Sequence, residues 1–227
     1  GIADDTNAIR AAFAAAYPVG TIFFPKGVYK ITKPIYLGWF NTSGNNQGSF
    51  KWAGETKYWG GAIGSSHSNT KIIGYTDNYG NTSEIKFGGT SPFPMFAIIS
   101  GRNIEFSDIQ LNGNNGSVRA SEGIFASAGI SNLKFDNCYI NNCYRDLRIG
   151  NAYHHPEDPI VFTDYEDAPY PRLTGGWMVE HIFLNQTHLT GAVHSALSME
   201  TSQCLHFVSQ NSSFSGANYS SYGIFLG

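Results

Sequence analysis

The sequence predicts an all-β fold: a right-handed, single-stranded parallel β-helix with a short N-terminal capping α-helix. A nine-residue pattern recurs at solenoid spacing, and one further short strand recurs between its copies. The pattern reads NIEFSDIQL from Asn103 to Leu111, NLKFDNCYI from Asn132 to Ile140 and HIFLNQTHL from His181 to Leu189. A fourth copy, CLHFVSQNSSF from Cys204 to Phe214, reads as the same pattern with two extra residues, keeping Leu205, Phe207 and Phe214 in place. Apolar residues alternate on either side of a break, as Ile104, Phe106, Ile109 and Leu111 do in the first copy. Period-two alternation interrupted in this way means two short strands with a corner between them.

Phe106 and Phe135 are 29 residues apart, and Leu184 and Phe207 are 23 apart. The 49 residues between Phe135 and Leu184 fit one coil carrying a long insertion. Repeats of roughly 20 to 50 residues mean a solenoid or a propeller. The second series, MFAII at 95–99, GIFAS at 123–127, DLRIG at 146–150, ALSME at 196–200 and GIFLG at 223–227, adds one strand per coil. A propeller needs four strands per repeat and hairpin turns, and no such turns are evident. Coils stacked about 4.8 Å apart are therefore expected, with Phe106, Phe135, Leu184 and Phe207 in one internal row.

Composition agrees. Gly (26), Phe (16) and Tyr (13) are abundant while only 14% of residues are charged, which suits stacked strands with polar corners. A net charge of −3 excludes the basic footprint of a general nucleic-acid binder. No apolar run approaches a membrane span. Three cysteines, 138, 143 and 204, are too odd a number for a complete disulfide framework, and Cys138 reads as a small core residue.

Taken in order, residues 1–19 form the cap. Asp4, Asp5 and Thr6 offer N-cap oxygens, and Ile9, Ala12, Phe13 and Ala16 share one helical face over 6–16. Its task is to cover the open strand edges and core of the first coil. Residues 20–227 are the coils of a single domain. Thr21 to Phe24 and Val28 to Ile31 are strands around a Pro25-Lys26-Gly27 turn, and short strands resume at 69–75 and 84–88. DDTNAIRAAF followed by GTIFFPKGVYKI resembles the N-terminal signature of the pectate-lyase-like parallel β-helix superfamily, in which Asp-Asp-Thr leads into a helix and a Pro-x-Gly-x-Tyr turn. Phage tailspikes, depolymerases and secreted polysaccharide lyases and hydrolases share this start. The chain begins inside that motif and ends on GIFLG, a strand opening another coil, so a fragment of a longer chain is expected.

Two stretches break the period. Residues 38–68 are rich in Gly, Asn and Ser, with Trp39, Phe40, Trp52, Tyr58 and Trp59 interspersed. They read as a projecting loop, either a self-packed flap or a sugar-stacking surface. Residues 151–177 are the long insertion, holding two His, five acidic residues and several aromatics. Their spacing matches no tight metal-ligand motif.

Alternation on the once-per-coil strands puts Leu147, Ile149, Leu197 and Met199 inward and Asp146, Arg148, Ser198, Glu200 and Phe125 outward. Such a column is a groove floor suited to a linear polymer. Asp146 and Glu200 are the candidate acid–base pair of a glycoside hydrolase, while Arg148 and His194 suit a lyase, which needs a cation and a base. The bland alternative is an Asp146–Arg148 surface pair with Glu200 solvated. Ser198, Phe125, Tyr153, Asp158, Asp164, Tyr165, Glu166 and Trp177 are candidate sugar contacts, the last six forming a wall beside the groove.

The expected function is host recognition by a tailspike-like β-helix, on the virion tail or outside the cell, binding and degrading a polysaccharide. Alternatives are a secreted monomeric lyase or glycoside hydrolase and a non-catalytic adhesive or structural β-helix. The resemblance implies a homotrimer. No cofactor, metal, nucleic acid or membrane insertion is expected.

Overall fold

The computed structural model describes residues 3–16, 19–38, 51–52, 67–77, 82–150, 160–161, 179–200, 204–218 and 221–226. Helix α1 spans Thr6–Ala15. The strands that follow are β1 (Thr21–Phe23), β2 (Gly27–Ile31), β3 (Ile35–Gly38), β4 (Lys51–Trp52), β5 (His67–Ser68) and β6 (Lys71–Ile73). Then come β7 (Ser83–Phe87), β8 (Phe96–Ser107), β9 (Ile109–Asn112), β10 (Glu122–Asp136), β11 (Tyr139–Asn141), β12 (Arg145–Gly150) and β13 (Ile160–Val161). The last are β14 (Val179–Asn185), β15 (His188–Ala192), β16 (Ser195–Glu200), β17 (Cys204–Gln210), β18 (Ser213–Gly216) and β19 (Tyr222–Leu226).

These strands stack into a parallel β-helix with three faces. Face one stacks β3, the first half of β8, the first half of β10, β12, β16 and β19. Face two stacks β1, β6, the second halves of β8 and β10, β14 and β17. Face three stacks β2, β7, β9, β11, β15 and β18. All these pairings are parallel. The antiparallel exception among the named strands is β4 with β13, where Ile160 faces Trp52. Each comes from one of the two expected projecting loops, so the loops meet in a short ribbon.

Inward rows fill the core. Face one contributes Ile35, Phe96, Ile124, Leu147 and Leu197, all buried. Face three contributes Ile85, Leu111, Ile140 and Leu189. On face two Ile72, Phe106, Phe135 and Leu184 form one row, and the Phe106 and Phe135 rings stack at 5.4 Å. Phe207 does not join it. Phe207 pairs with Ile182, and Ser209 takes the place beside Leu184. The fourth copy is therefore offset by 25 residues throughout, as Phe214 beside Leu189 also requires, and it holds no extra residues. The expected 23-residue interval came from matching Leu205 to Ile182, whereas Leu205 pairs with Glu180.

The corners explain the true repeat. Asn69, Asn103, Asn132, His181 and His206 all have positive φ, between 52° and 59°. Asp108, Asn137, Gln186 and Asn211 form a second such column five residues further on, with φ between 48° and 54°. Gly74 stands at the same place in the earlier coil without a positive φ, and there the requirement is space: a Cβ would lie 2.2 Å from the Asp108 carbonyl oxygen. A left-handed residue costs most side chains about 1–2 kcal/mol, and Asn least because its short amide bonds locally. Those amides are shared between coils: Asn132 Nδ2 donates to Asn103 Oδ1, and Asn103 Nδ2 to Asn69 Oδ1, each at 2.8 Å. In the second column Asn137 Nδ2 donates to Asp108 Oδ1 at 2.7 Å.

The Asp-Asp-Thr segment latches α1 to β2. Asp4 Oδ1 accepts the Thr6 N–H, and its other oxygen accepts the Thr32 hydroxyl. Asp5 Oδ2 accepts the Lys30 N–H, and Thr6 Oγ1 the Thr32 N–H at 2.8 Å. Arg10 donates twice to the Pro34 carbonyl. Ile9 and Phe13 are thereby buried over the first coil, with Phe13 6.0 Å from Phe96 ring to ring. In the turn that follows, Tyr29 Oη donates to the Pro25 carbonyl. At the other end Ile224 and Leu226 extend the core rows of Leu197 and Met199, and Leu226 is 70% exposed.

The corner geometry yields a prediction. Asn132→Ala loses one amide bond and places an unsuited side chain at φ 59°, whereas Asn132→Gly loses only the bond. Urea unfolding should show a loss of about 2 kcal/mol for Ala and about 1 for Gly. Equal losses would mean that backbone geometry does not select Asn there.

Candidate functional site

On face one, between the core positions, the register aligns Phe125, Arg148, Ser198 and Phe225 in one row. A parallel row holds Glu122, Arg145, Ser195 and Tyr222. Glu200 lies beside Gly150. A Cβ on Gly150 would stand 2.9 Å from the Glu200 carbonyl oxygen, so the glycine is what lets β16 approach at this point.

Four of these residues form one ionic cluster. Glu122 Oε1 is 3.5 Å from both Arg145 Nη1 and Arg148 Nη1. Glu200 Oε1 is 3.3 Å from Arg145 Nε, and its Oε2 is 3.1 Å from Arg148 Nη2. Ser198 Oγ donates to Glu200 Oε1. The guanidinium of Arg148 lies over the Phe125 ring at 5.1 Å, and that of Arg145 over Tyr144 at 5.0 Å. Two carboxylates meet two guanidiniums, so the charges balance. Side-chain exposure is 3% for Glu122, 4% for Arg145 and 1% for Arg148, but 11% for Glu200. The carboxylate of Glu200 is thus the part of the cluster that solvent reaches.

An aromatic group adjoins it. His194 is 5.4 Å from Tyr144, 5.8 Å from Tyr222 and 5.3 Å from Phe225, and its Nδ1 is 3.1 Å from Ser195 Oγ. Tyr222 and Phe225 are themselves 5.5 Å apart.

The sequence reading is corrected at three points. First, Asp146 and Arg148 are both buried, so they are not an open groove floor, and they do not pair with each other on the surface. Second, the register sets Asp146 opposite Ala196, four residues before Glu200, or about 13 Å along the strand. The Asp146–Glu200 acid–base pair is not assembled. Asp146 instead accepts the buried Cys143 N–H at 3.3 Å. Third, Arg148 is turned to Glu122 and Glu200 rather than presented to an acidic sugar. His194 sits in the aromatic group. Ser198 and Phe125 join the cluster as described. Tyr153, Asp158, Asp164, Tyr165, Glu166 and Trp177 lie outside the described residues. Glu122 and Arg145 were missed because each stands one residue before the windows GIFAS and DLRIG. Their signal was opposite charge at the same position of successive strands.

Burial raises the Asp146 carboxyl well above the usual 3.8, against the lowering effect of its hydrogen bonds with Cys143. Burial also pushes the Cys138 thiol up to about 12, which suits a core residue rather than a nucleophile. Among the described residues no group of three or more His, Cys, Asp or Glu could hold a metal, and no helix is long and apolar enough to cross a membrane.

No protein-family model and no curated protein matches this sequence. Among solved structures the chain is similar to ORF18 of Geobacillus virus E2, with a TM-score of 0.50 and 14% identity. That match covers 97% of this chain and 41% of the viral one, so the chain spans well under half of it. PfbA, a surface adhesin of Streptococcus pneumoniae, matches at a TM-score of 0.35 and 14% identity, over 90% of this chain and 59% of that one. The viral likeness agrees with the fold class, a parallel β-helix.

Two predictions follow from the buried charges. The folded state keeps Asp146 protonated while the unfolded chain ionises near pH 3.8, so its stabilising contribution is full below that pH and lost as pH rises toward the folded value. Relative to Asp146→Asn, the native chain should lose up to about 1.4 kcal/mol per pH unit in that window. Parallel stability–pH curves for the two would refute the protonated state. Arg148→Met should cost about 3–5 kcal/mol by stranding buried carboxylates, and adding Glu122→Gln should recover part of it in urea unfolding.

Proposed function

We propose that this chain is the body of a tailspike-like protein that binds a cell-surface polysaccharide across face one and cleaves it beside Glu200. The observation that carries the reading is the Glu200 carboxylate, the part that solvent reaches in a charge cluster assembled in register by β10, β12 and β16 on face one. A row at right angles to the strands advances about 4.8 Å per coil, a run suited to a linear polymer. The N-terminal signature Asp4-Asp5-Thr6 and the Pro25–Tyr29 turn support the same family, and through it a homotrimer on a virion tail. The face-one strands β3 and β12 end at the same side of the coils as Glu200 on β16, and β4 pairs with β13.

In this reading Glu200 is the carboxylate that meets the scissile unit, and Arg145, Arg148 and Ser198 position it. Glu200→Gln should lower polysaccharide turnover at least a hundredfold with binding nearly unchanged, measured by release of new chain ends. An unsaturated end among the products identifies a lyase and a plain reducing end a hydrolase. Unchanged turnover would move the chemistry away from face one.

A second reading, a non-catalytic adhesive β-helix, draws on the charge balance of the cluster. Four compensating charges, three of them buried, can serve only to fix the register of β10, β12 and β16. Binding without chain-end release by the native protein would select it.

A further inference from the structure

We infer that Asn115 is a site of spontaneous amide-to-acid modification, and that the fold shields the other Asn-Gly pair of the chain from the same reaction. The sequence holds two such pairs, Asn112-Gly113 and Asn115-Gly116. The chemistry needs only water and base. Solvent base takes the amide proton of the glycine, and its backbone nitrogen attacks the Cγ of the preceding asparagine. The new N–C bond closes a cyclic imide, the Cγ–Nδ2 bond breaks, and the nitrogen leaves as ammonia with a proton from solvent. Water then opens the imide at either carbonyl, giving aspartate or isoaspartate, so one water is consumed for each ammonia released. Glycine after the asparagine favours closure because no Cβ obstructs the approach and the backbone turns freely.

The structure separates the two pairs. Asn112 closes β9, in register with Asn141. Its Nδ2 donates to Glu84 Oε1 at 2.7 Å, and its Oδ1 accepts the Asn114 N–H at 3.0 Å and Asn142 Nδ2 at 3.4 Å. The attacking nitrogen is held as well: the Gly113 N–H donates to the Asn141 carbonyl at 2.8 Å. Gly113 is buried, and a Cβ there would stand 2.5 Å from Cys143 Sγ. Imide closure at Asn112 has to break these bonds together. Asn115, Gly116 and Ser117, in contrast, are exposed at a bend of the 113–121 corner, outside any strand. The corner is fastened around them rather than through them: the Ala120 N–H donates to the Gly113 carbonyl at 2.9 Å, and Asn114 Nδ2 to the Val118 carbonyl at 3.0 Å. Such a tip turns without opening a coil. The product carboxylate stands one residue from Gly116, whose carbonyl accepts Arg119 Nη2 at 3.4 Å, and it makes the net charge of −3 one unit more negative. Glu122 on β10 follows this corner directly, so the new charge arises at the rim of face one. The inference stands independently of the polysaccharide reading.

The test holds the folded protein, and the chain unfolded in urea, at mildly alkaline pH and follows both pairs by peptide mass mapping. In the folded protein Asn115 should convert at least about tenfold faster than Asn112. In urea the two rates should agree within about twofold, because the coil bonds that distinguish the pairs are gone. Gly116→Ala should slow conversion of Asn115 about tenfold. The nearest atom to the added Cβ is the flexible amide end of Asn114, at 3.1 Å, so this variant is expected to fold. Equal rates for the two pairs in the folded protein would overturn the shielding of Asn112. An Asn115 that converts in urea but stays intact in the folded protein would overturn the site. Conversion of Gly116→Ala as fast as the native chain would overturn attack through the Gly116 nitrogen.

Discussion

Four successive coils of this molecule depend on turning at the same two places. Between the paired corners, Asn103 and Asp108, Asn132 and Asn137, His181 and Gln186, His206 and Asn211, the chain runs five residues in each coil. That interval is fixed because both ends must enter the left-handed region, where only a few residue types sit cheaply. Stacking such residues also gives their side chains partners in the next coil. Amides bond to amides where Asn follows Asn, and at the C-terminal end the column continues as His181 and His206, whose rings stack at 4.7 Å. One device therefore sets backbone direction, strand register and lateral cohesion together.

Fixed corners leave the rest of each coil free to vary. The 49-residue interval arises wholly outside the five-residue unit, in the stretch between β12 and β14. The loop between β3 and β5 occupies the corresponding place in an earlier coil. The two longest additions thus share one corner, that between faces one and two, beside the C-terminal end of the face-one strands, while shorter ones such as 74–82 and 113–121 fall at the other corners. Glu200 is at that same end. Solenoids collect insertions on one side because the stacked elements elsewhere cannot lengthen without breaking the register of their neighbours.

The sequence revealed the architecture because strand alternation and repeat spacing are local properties. Helix α1, the turn at Pro25 and the five once-per-coil strands all fall where the pattern puts them. The slip in the fourth copy has a clear cause. The apolar frame misleads there because Leu205 pairs with Glu180 rather than with Ile182. The polar frame, His206 and Asn211 against His181 and Gln186, would have set the 25-residue offset at once. The site was less legible. Parity tells which side of a strand a residue takes, but not whether that side is covered, and Arg148 alternates away from the core positions yet is 1% exposed. Asp146 shows a further limit: its side chain bonds back to Cys143 three residues earlier, a contact set by the bend entering β12 rather than by alternation.

Burying three charges and most of a fourth on a face is costly unless each has partners, and here each carboxylate meets both guanidiniums. The partners come from three successive coils, Glu122 on β10, Arg145 and Arg148 on β12, Glu200 on β16. The cluster is therefore a register lock across the coils as well as a chemical feature. The two roles are compatible. A carboxylate gripped by Arg145, Arg148 and Ser198 has little freedom to rotate, and a group so held costs little to order when a ligand arrives. The same grip engages both guanidiniums with carboxylates. What the cluster shows to solvent is part of the Glu200 carboxylate. That combination follows from the stacking of coils, because each strand contributes a single side chain per row and only neighbouring coils can complete the site.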